Sequence, residues 1–208
     1  MAVKEVKLST IEEVLTTLTT AEFNDALKRN RSAFLFRGLP NVSYKLTTSL
    51  RWNCKGKAGE LEPSILRNFS KYAASTSPLN SCWEQMVIGQ HHGLPTRLMD
   101  WTYSPLAALH FATSGEDITG MNQHDAVVWA IDITEMNTLL PAKYQKVLND
   151  ERAYLFTIDM LDRVAKDLTT YDNDMGEDGI VLLEPPSIDQ RIINQYSYFS
   201  IIPSGVED

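Results

Sequence analysis

The segment at residues 90–112 constrains the fold more than any other part of the chain. Apolar residues at helical spacing before it predict a helix that ends at Gly93, because glycine commonly follows a helix C-terminus. Pro95 blocks continuation of that helix, so residues 96–101 are expected to be extended. Ser104 followed by Pro105 predicts a new helix over 106–114. The order is therefore helix, turn, strand and capped helix.

The rest of the chain predicts further helices and strands. Capping boxes at Ser9 and Thr10 predict a first helix, and a second helix is expected after Thr20. The apolar run at 33–36 predicts a buried strand that hands over to a turn at Gly38, with Arg37 at its end. Also expected are a helix at 60–74, a strand at 126–133, one or two helices within 141–169, and strands at 179–183 and 198–202. Because this order does not alternate strand and helix, an α+β domain is favoured over a doubly wound parallel sheet.

The chain's size and composition are those of one soluble domain. With 208 residues it is long enough for a single core and short for two. Its longest apolar stretch is far below the ~20 residues that a spanning helix needs. The first residues lack the apolar run of a secretion signal, so a cytoplasmic protein without membrane contact is expected.

Charge is unevenly distributed along the chain. The formal net charge is −8, yet residues 26–59 contain eight basic residues and no acidic one. Such a block predicts a local site for a phosphate-bearing ligand or a nucleic-acid strand. Pairing of these cations with carboxylates from elsewhere in the fold remains the alternative.

Metal binding is not expected. His91 and His92 are adjacent, so on a helix their side chains diverge by about 100° and cannot chelate one ion. One of them is expected to face the pocket and the other to pack or cap. Cys54 and Cys82 have no partner at ligand spacing and are predicted to be free thiols. The acidic residues within 172–178 are interpreted as a solvated loop, which disfavours a nuclease.

Hydrogen-bonding side chains are dense between positions 90 and 102, which is typical of a functional site. On a strand, Thr96 and Asp100 share one face and Arg97 lies on the other. Thr96 and Asp100 are therefore expected to face one pocket, whereas Arg97 is placed to hold a carboxylate. A structural role for each residue remains the alternative, with Arg97 in an internal ion pair and Trp101 in the core.

These motifs resemble the FRG-domain family. The similar segments are Phe-Arg-Gly at 36–38, Tyr44-x-Leu46, Ser-Leu-Arg at 49–51, residues 90–102, residues 105–112, and Arg191 with Gln195 and Phe199. Together they span residues 34–202 and imply a single FRG-type domain over 1–208.

The family's layout resembles that of mono-ADP-ribosyltransferases, which implies a bent, split β-sheet surrounded by helices, with NAD as the substrate. By this resemblance Arg37 holds the NAD diphosphate, and Asp100 lies beside the nicotinamide ribose. The candidate set is Arg37, Gly38, His91, Thr96, Arg97, Trp101 and Thr102 for the cofactor, and Arg37, His92, Asp100, Glu184 and Gln195 for catalysis.

The third motif departs from the transferase pattern. Those enzymes place a glutamate where this chain has Gln195, which carries no charge. Asp100 or Glu184 is predicted to supply the missing charge, with Glu177 as a further alternative.

The expected function is transfer of ADP-ribose from NAD to a macromolecule, either nucleic acid or protein. A toxin or phage-related effector fits this expectation, and an inhibitory partner protein is a further one. The alternative is a non-catalytic module in which Arg37, Arg97 and Arg191 clamp a phosphate-bearing ligand or nucleic acid.

Overall fold

A computed structural model of the chain describes residues 3–20, 23–25, 28–30, 32–73, 81–114, 123–176, 179–186 and 197–205. The helices are α1 (Ile11–Thr19), α2 (Ser49–Cys54), α3 (Ala58–Ala73), α4 (Cys82–His91), α5 (Pro105–Thr113), α6 (Ile133–Thr138), α7 (Ala142–Glu151), α8 (Ile158–Val164) and α9 (Leu168–Met175). The strands are β1 (Phe23–Asn24), β2 (Arg29–Asn30), β3 (Phe34–Leu39), β4 (Leu98–Thr102), β5 (Val127–Asp132), β6 (Val181–Leu183) and β7 (Ser197–Ile201). A 3-10 turn, Lys55–Lys57, joins α2 to α3. Within these ranges, no helix has both the length and the apolar character needed to cross a bilayer.

Side-chain caps explain where three of the helices begin. The hydroxyl of Thr10 accepts from the main-chain N–H of Glu13, whose carboxylate accepts in return, and this capping box starts α1. Ser81 accepts from Glu84 N at 3.2 Å to start α4. Ser104 does the same for α5, which has proline at its first position. The helices predicted from these local signals are confirmed.

The main sheet has five strands in the order β5-β3-β4-β7-β6, and every neighbouring pair is antiparallel. This confirms a mixed domain in which an antiparallel sheet is flanked by helices. The pairing is uneven. β3 pairs with β5 at six positions and β4 with β7 at five, but β3 and β4 are paired only at Phe36 and Thr102. The sheet is thus two paired halves joined at one point.

Each face of the sheet has its own apolar cluster. Leu98, Phe199 and Ile201 pack on one face against α3, α4 and α7 to α9. On the other face, Leu35 and Trp101 pack with residues from β4, β6 and α6. Because alternate strand residues face opposite sides, the two clusters together bury both faces of the central strands. Full burial of one such side chain contributes about 1.5–3 kcal/mol, so the strands that carry the site are held firmly.

Two sequence predictions were wrong. Where a helix was expected after Thr20, Phe23–Asn24 pairs with Arg29–Asn30 as a short antiparallel hairpin. The residues at 26 and 27 that were to continue that helix lie outside the described ranges. The loop expected at 172–178 is helical in its first part, because α9 runs to Met175. Two six-residue helices, α2 and α6, were not predicted, since they are too short to show an apolar period.

Candidate functional site

A cleft of about 370 Å³ opens where β3 and β4 stop pairing. It is lined by Phe36, Arg37, Gly38 and Pro40 from β3 and its end, Asp100, Trp101 and Thr102 from β4, Phe111 from α5, and Ser197 from β7. The volume lies within the usual range for a small-molecule site. The Phe-Arg-Gly segment and the 90–102 segment, separate in sequence, therefore meet in one cleft.

Arg37 extends from β3 to β4. Its Nη1 donates a hydrogen bond to the main-chain oxygen of Asp100 at 2.7 Å and lies 3.8 Å from the Asp100 carboxylate. Burial lowers the pKa of Arg37, and the charge of Asp100 partly offsets that effect. An arginine remains protonated even so. With 24% of its side chain exposed, Arg37 presents a positive charge to the cleft that is only partly neutralised.

A hydrogen-bonded relay holds the Asp100 carboxylate in place. Gln90 Nε2 donates to Asp100 Oδ1 at 3.1 Å. The hydroxyl of Thr96 donates to Gln90 Oε1 and accepts from Leu98 N at 3.2 Å. Thr96 is fully buried, so it acts behind the cleft and not within it. The side chain of Asp100 itself is 62% exposed, which leaves it accessible to a ligand.

Sequence reasoning did not assign Gln90 a role in the site. It follows Trp83, Met86 and Val87 on the same face of α4. A polar amide on this otherwise apolar face was the feature of the sequence that could have identified it. Such a group requires a hydrogen-bonding partner, and its partners are Thr96 and Asp100. Pro40, Phe111 and Ser197 were also missed, and their only role in the cleft is as lining.

Gly38 lets α5 lie directly on β3. A Cβ atom at position 38 would be 1.8 Å from the main-chain oxygen of Ala108 and 2.7 Å from the nitrogen of Ala112. Both alanines are buried, so small residues face each other on the two elements. Thr102 fixes the start of the same helix by accepting from Ser104 N at 3.0 Å. This close contact places Phe111 of α5 at the edge of the cleft.

Arg97 lies away from the cleft, in a buried ion-pair group with Glu62 and Asp172, named here the Arg97 triad. Its Nε donates to both Glu62 oxygens at 2.8 and 3.0 Å, and its terminal nitrogens bind Glu62 and Asp172. Burial alone lowers the pKa of Arg97, but hydrogen bonds and charge from Glu62 and Asp172 outweigh it and raise that pKa. Arg97 thus holds a carboxylate, as expected from the sequence, and it holds a second one as well.

Asp172 and Asp174 belong to α9, which corrects their interpretation as a solvated loop. Asp172 completes the Arg97 triad, and it also accepts from Ser204 N at 3.0 Å. Asp174 accepts from the buried Tyr144 hydroxyl at 2.8 Å. Both carboxylates therefore stabilise the fold. Glu177 and Asp178 lie outside the described residues.

Three aromatic side chains of the 90–103 segment, Trp101, Tyr103 and His92, each contact another side chain of the protein. Trp101 is 5% exposed, and its indole N–H donates to Ser200 Oγ at 2.9 Å. The ring of Tyr103 packs edge-on against Tyr198, with centroids 4.7 Å apart. His92 is exposed, with its ring 6.5 Å from that of Phe69. Neither His91 nor His92 is among the residues that line the cleft.

Of the two candidates for a late catalytic group, only Glu184 lies within the described residues. Glu184 is exposed one residue beyond β6 and does not line it. Burial raises the pKa of Tyr198 to about 12, and the charge of Glu184 adds to this effect, so these two groups are neighbours. Gln195 and Arg191 lie outside the described residues.

The comparisons with known proteins concern the segment that builds the cleft. No curated protein and no solved structure matches the chain. A family model matches residues 32–119, which include Arg37, Gly38 and the whole 90–102 segment but not the closing residues near 195. Residues 32–119 match the model of the FRG domain, and this segment supplies every residue of the cleft except Ser197.

Proposed function

We propose that the cleft binds NAD and that the protein transfers ADP-ribose from it to a macromolecular acceptor. The observation that carries the proposal is the meeting of Arg37 and Asp100 in one cleft, on two adjacent strands of the sheet. A cation and an exposed carboxylate side by side suit a ligand with both a diphosphate and a reacting sugar carbon. The resemblance of the family layout to mono-ADP-ribosyltransferases adds support, as an analogy.

The reaction breaks the bond between the ribose anomeric carbon and the nicotinamide nitrogen, and nicotinamide leaves with the bonding electron pair. A nucleophilic oxygen or nitrogen of the acceptor then bonds to that carbon and loses its proton to water. Positive charge develops on the ribose in between, so a nearby negative group lowers the barrier. Arg37 is proposed to hold the diphosphate and Asp100 to face the ribose.

Gln90 is proposed as a positioning residue, because its amide fixes Asp100 Oδ1 and leaves Oδ2 toward Arg37. Preorganised groups of this kind stabilise developing charge without reorganising during the reaction. The buried Thr96 in turn orients the Gln90 amide. Arg97 is left out of the proposed site, since Glu62 and Asp172 already occupy its guanidinium.

A binding module without catalysis is the second candidate, and one observation favours it. Asp100 is the only carboxylate among the described residues that line the cleft, and it is shared with Arg37. A carboxylate that mainly orients an arginine stabilises a sugar cation less well. Both candidate functions predict NAD binding, but only the transferase predicts turnover of NAD.

The experiment measures nicotinamide release with protein and nucleic-acid acceptors, beside NAD binding by calorimetry. Asp100→Asn is expected to lower turnover by ~10²-fold, the scale seen when one electrostatic stabiliser is removed, while NAD affinity changes much less. Glu184→Gln is the matched control, because it removes a charge of the same sign from outside the cleft. If the chain binds NAD but releases no nicotinamide, the transferase is ruled out and the binding module is supported. If Glu184→Gln alone is inactive, the role given to Asp100 is wrong.

A further inference from the structure

A second surface, distinct from the cleft, combines exposed aromatic rings with cations. The exposed side chains of Tyr44, Lys45, Trp52, Lys55 and Lys57, which are close in sequence, are named here the basic aromatic surface. Trp52 is 74% exposed and Tyr44 54% exposed, and the three lysines are exposed as well. Residues 41–59 contain no acidic residue. We propose that this surface binds single-stranded nucleic acid and delivers it to the cleft as the acceptor.

Within the part of the chain that the structure describes, the charges of this surface are not neutralised by carboxylates. No described residue forms an ion pair with Lys45, Lys55 or Lys57. By contrast, Lys143 and Lys146 of α7 are each paired with an aspartate. The pairing with carboxylates that the sequence left open therefore does not occur for these three lysines within the described residues.

The aromatic rings are exposed because the other side of α2 anchors the helix. Leu50 is 3% exposed, and its N–H donates to the main-chain oxygen of Thr96 at 3.1 Å. Ser49 Oγ also accepts from Thr96 N at 3.1 Å. With that side fixed to the chain just before β4, Trp52 points to solvent. The ring is therefore presented on a rigid element.

The segment that carries the basic aromatic surface is attached to the proposed site at both ends. Pro40 lines the cleft and opens the loop that carries Tyr44 and Lys45. At the other end, α2 is bonded to Thr96, which is also part of the relay to Asp100. The proposal places a bound strand along this segment, with the cleft beside its Pro40 end.

Single-stranded nucleic acid fits both features at once. Its phosphates recur at every nucleotide and match cations spaced along a segment, and its unstacked bases offer flat faces to Trp52 and Tyr44. A duplex keeps its bases stacked and cannot use the aromatic rings. An acidic polypeptide matches the lysines but gives no reason for a tryptophan that is 74% exposed. This inference rests on the proposed transferase function for the identity of the acceptor, but the binding stands alone.

The test is fluorescence anisotropy of labelled single-stranded DNA and RNA 12-mers with the full chain and no NAD. Binding is expected to weaken with salt, and Trp52→Ala is expected to lower affinity by about tenfold, the scale of one lost base stack. The double variant Lys55→Ala/Lys57→Ala is expected to reduce the slope of log affinity against log salt by about 1.4, since each phosphate contact contributes about 0.7. Matched controls are Tyr72→Ala, an aromatic 82% exposed on α3, and Lys4→Ala/Lys7→Ala, two exposed lysines near the N-terminus.

The outcomes separate this inference from the transferase proposal. It is overturned if the chain binds no 12-mer, if Trp52→Ala binds as tightly as the unmodified chain, or if a labelled duplex or polyglutamate binds equally well. Nicotinamide release that persists without oligonucleotide binding overturns this inference and leaves the transferase. If the chain binds oligonucleotides through Trp52 but releases no nicotinamide, the nucleic-acid binding role of the surface is supported and the transferase proposal is ruled out.

Discussion

Arg37 and Arg97 each face a carboxylate, but their surroundings differ. Arg97 is 4% exposed and bonded to two carboxylates, of which Glu62 is 2% exposed. Arg37 has one hydrogen bond to a described residue, and the carboxylate beside it lies 3.8 Å away and is largely exposed. The pKa of Arg97 is raised by its partners, whereas that of Arg37 is lowered by burial.

This difference separates an arginine that holds the fold together from one that is able to bind a ligand. A guanidinium has five N–H donors. The Nε, Nη1 and Nη2 atoms of Arg97 all donate to Glu62 or Asp172, so few of its donors are available to a ligand. Arg37 gives one donor to Asp100 O, and among the described residues its other donors have no hydrogen-bond partner, so they are proposed to bind an anion in the cleft.

Removal of Arg97 is expected to have the largest effect. Arg97→Met leaves the buried Glu62 carboxylate without its partner, which costs about 3–5 kcal/mol in the free energy of unfolding. The double variant Arg97→Met/Glu62→Leu is expected to recover at least half of that loss, since an apolar pair replaces a buried ion pair at little cost. Urea denaturation of both variants measures this. A double variant no more stable than the single one contradicts the account of the Arg97 triad.

Gly38→Ala tests the frame that positions Arg37. The added Cβ meets the α5 backbone at 1.8 Å, so the helix must move away from β3, at a cost of about 3 kcal/mol. Gly56→Ala is the matched control, because a Cβ there meets nothing within 4 Å. The measurement is the thermal unfolding midpoint of the two variants. Equal stability of both shows that α5 does not depend on Gly38.

Cys82 is a partly buried ionisable group whose charged neighbours are carboxylates. Burial raises the pKa of this thiol to about 12, and the charges of Asp162 and Asp167 add to the effect. A raised folded-state pKa favours the neutral thiol, so the stabilisation is complete below the unfolded pKa of about 8.5 and is lost as pH rises toward 12. Relative to Cys82→Ala, the unmodified chain is therefore expected to lose about 1 kcal/mol of unfolding free energy between pH 8 and pH 10. Parallel pH profiles contradict this.

The smallest effect on stability is expected for Arg37. Its pair with Asp100 is partly exposed, and such pairs contribute about 0–1 kcal/mol. Arg37→Ala should therefore unfold within about 1 kcal/mol of the unmodified chain in urea. A loss as large as that of Arg97→Met removes the contrast between the two arginines.

Local signals in the sequence predicted the elements that carry the site. The caps at Ser81 and Ser104 fix α4 and α5, and the apolar run before Arg37 predicts β3. The relation between these elements depends on long-range pairing. That β3 and β4 meet only at Phe36 and Thr102 follows from strand register, which no local pattern encodes.

The roles of individual charged residues were harder to predict for the same reason. Glu62 lies on a helix that was predicted from the sequence, but only the fold brings it to Arg97. Asp172 lies in a run of acidic residues, and this run suggested a solvated loop. In the structure, however, the Asp172 carboxylate is paired with the buried Arg97. Long-range ion pairs of this kind leave no periodic trace in a sequence.

The most direct test of the central claim is a calorimetric titration of NAD into the unmodified chain, Arg37→Ala and Arg67→Ala. Arg67 is an exposed arginine of α3 outside the cleft, so its loss controls for net charge. Saturable binding is expected for the unmodified chain and for Arg67→Ala, and affinity at least about tenfold lower for Arg37→Ala, because a charged hydrogen bond is lost. No NAD binding by the unmodified chain, or equal affinity in all three, contradicts the claim that Arg37 is the ligand-binding arginine.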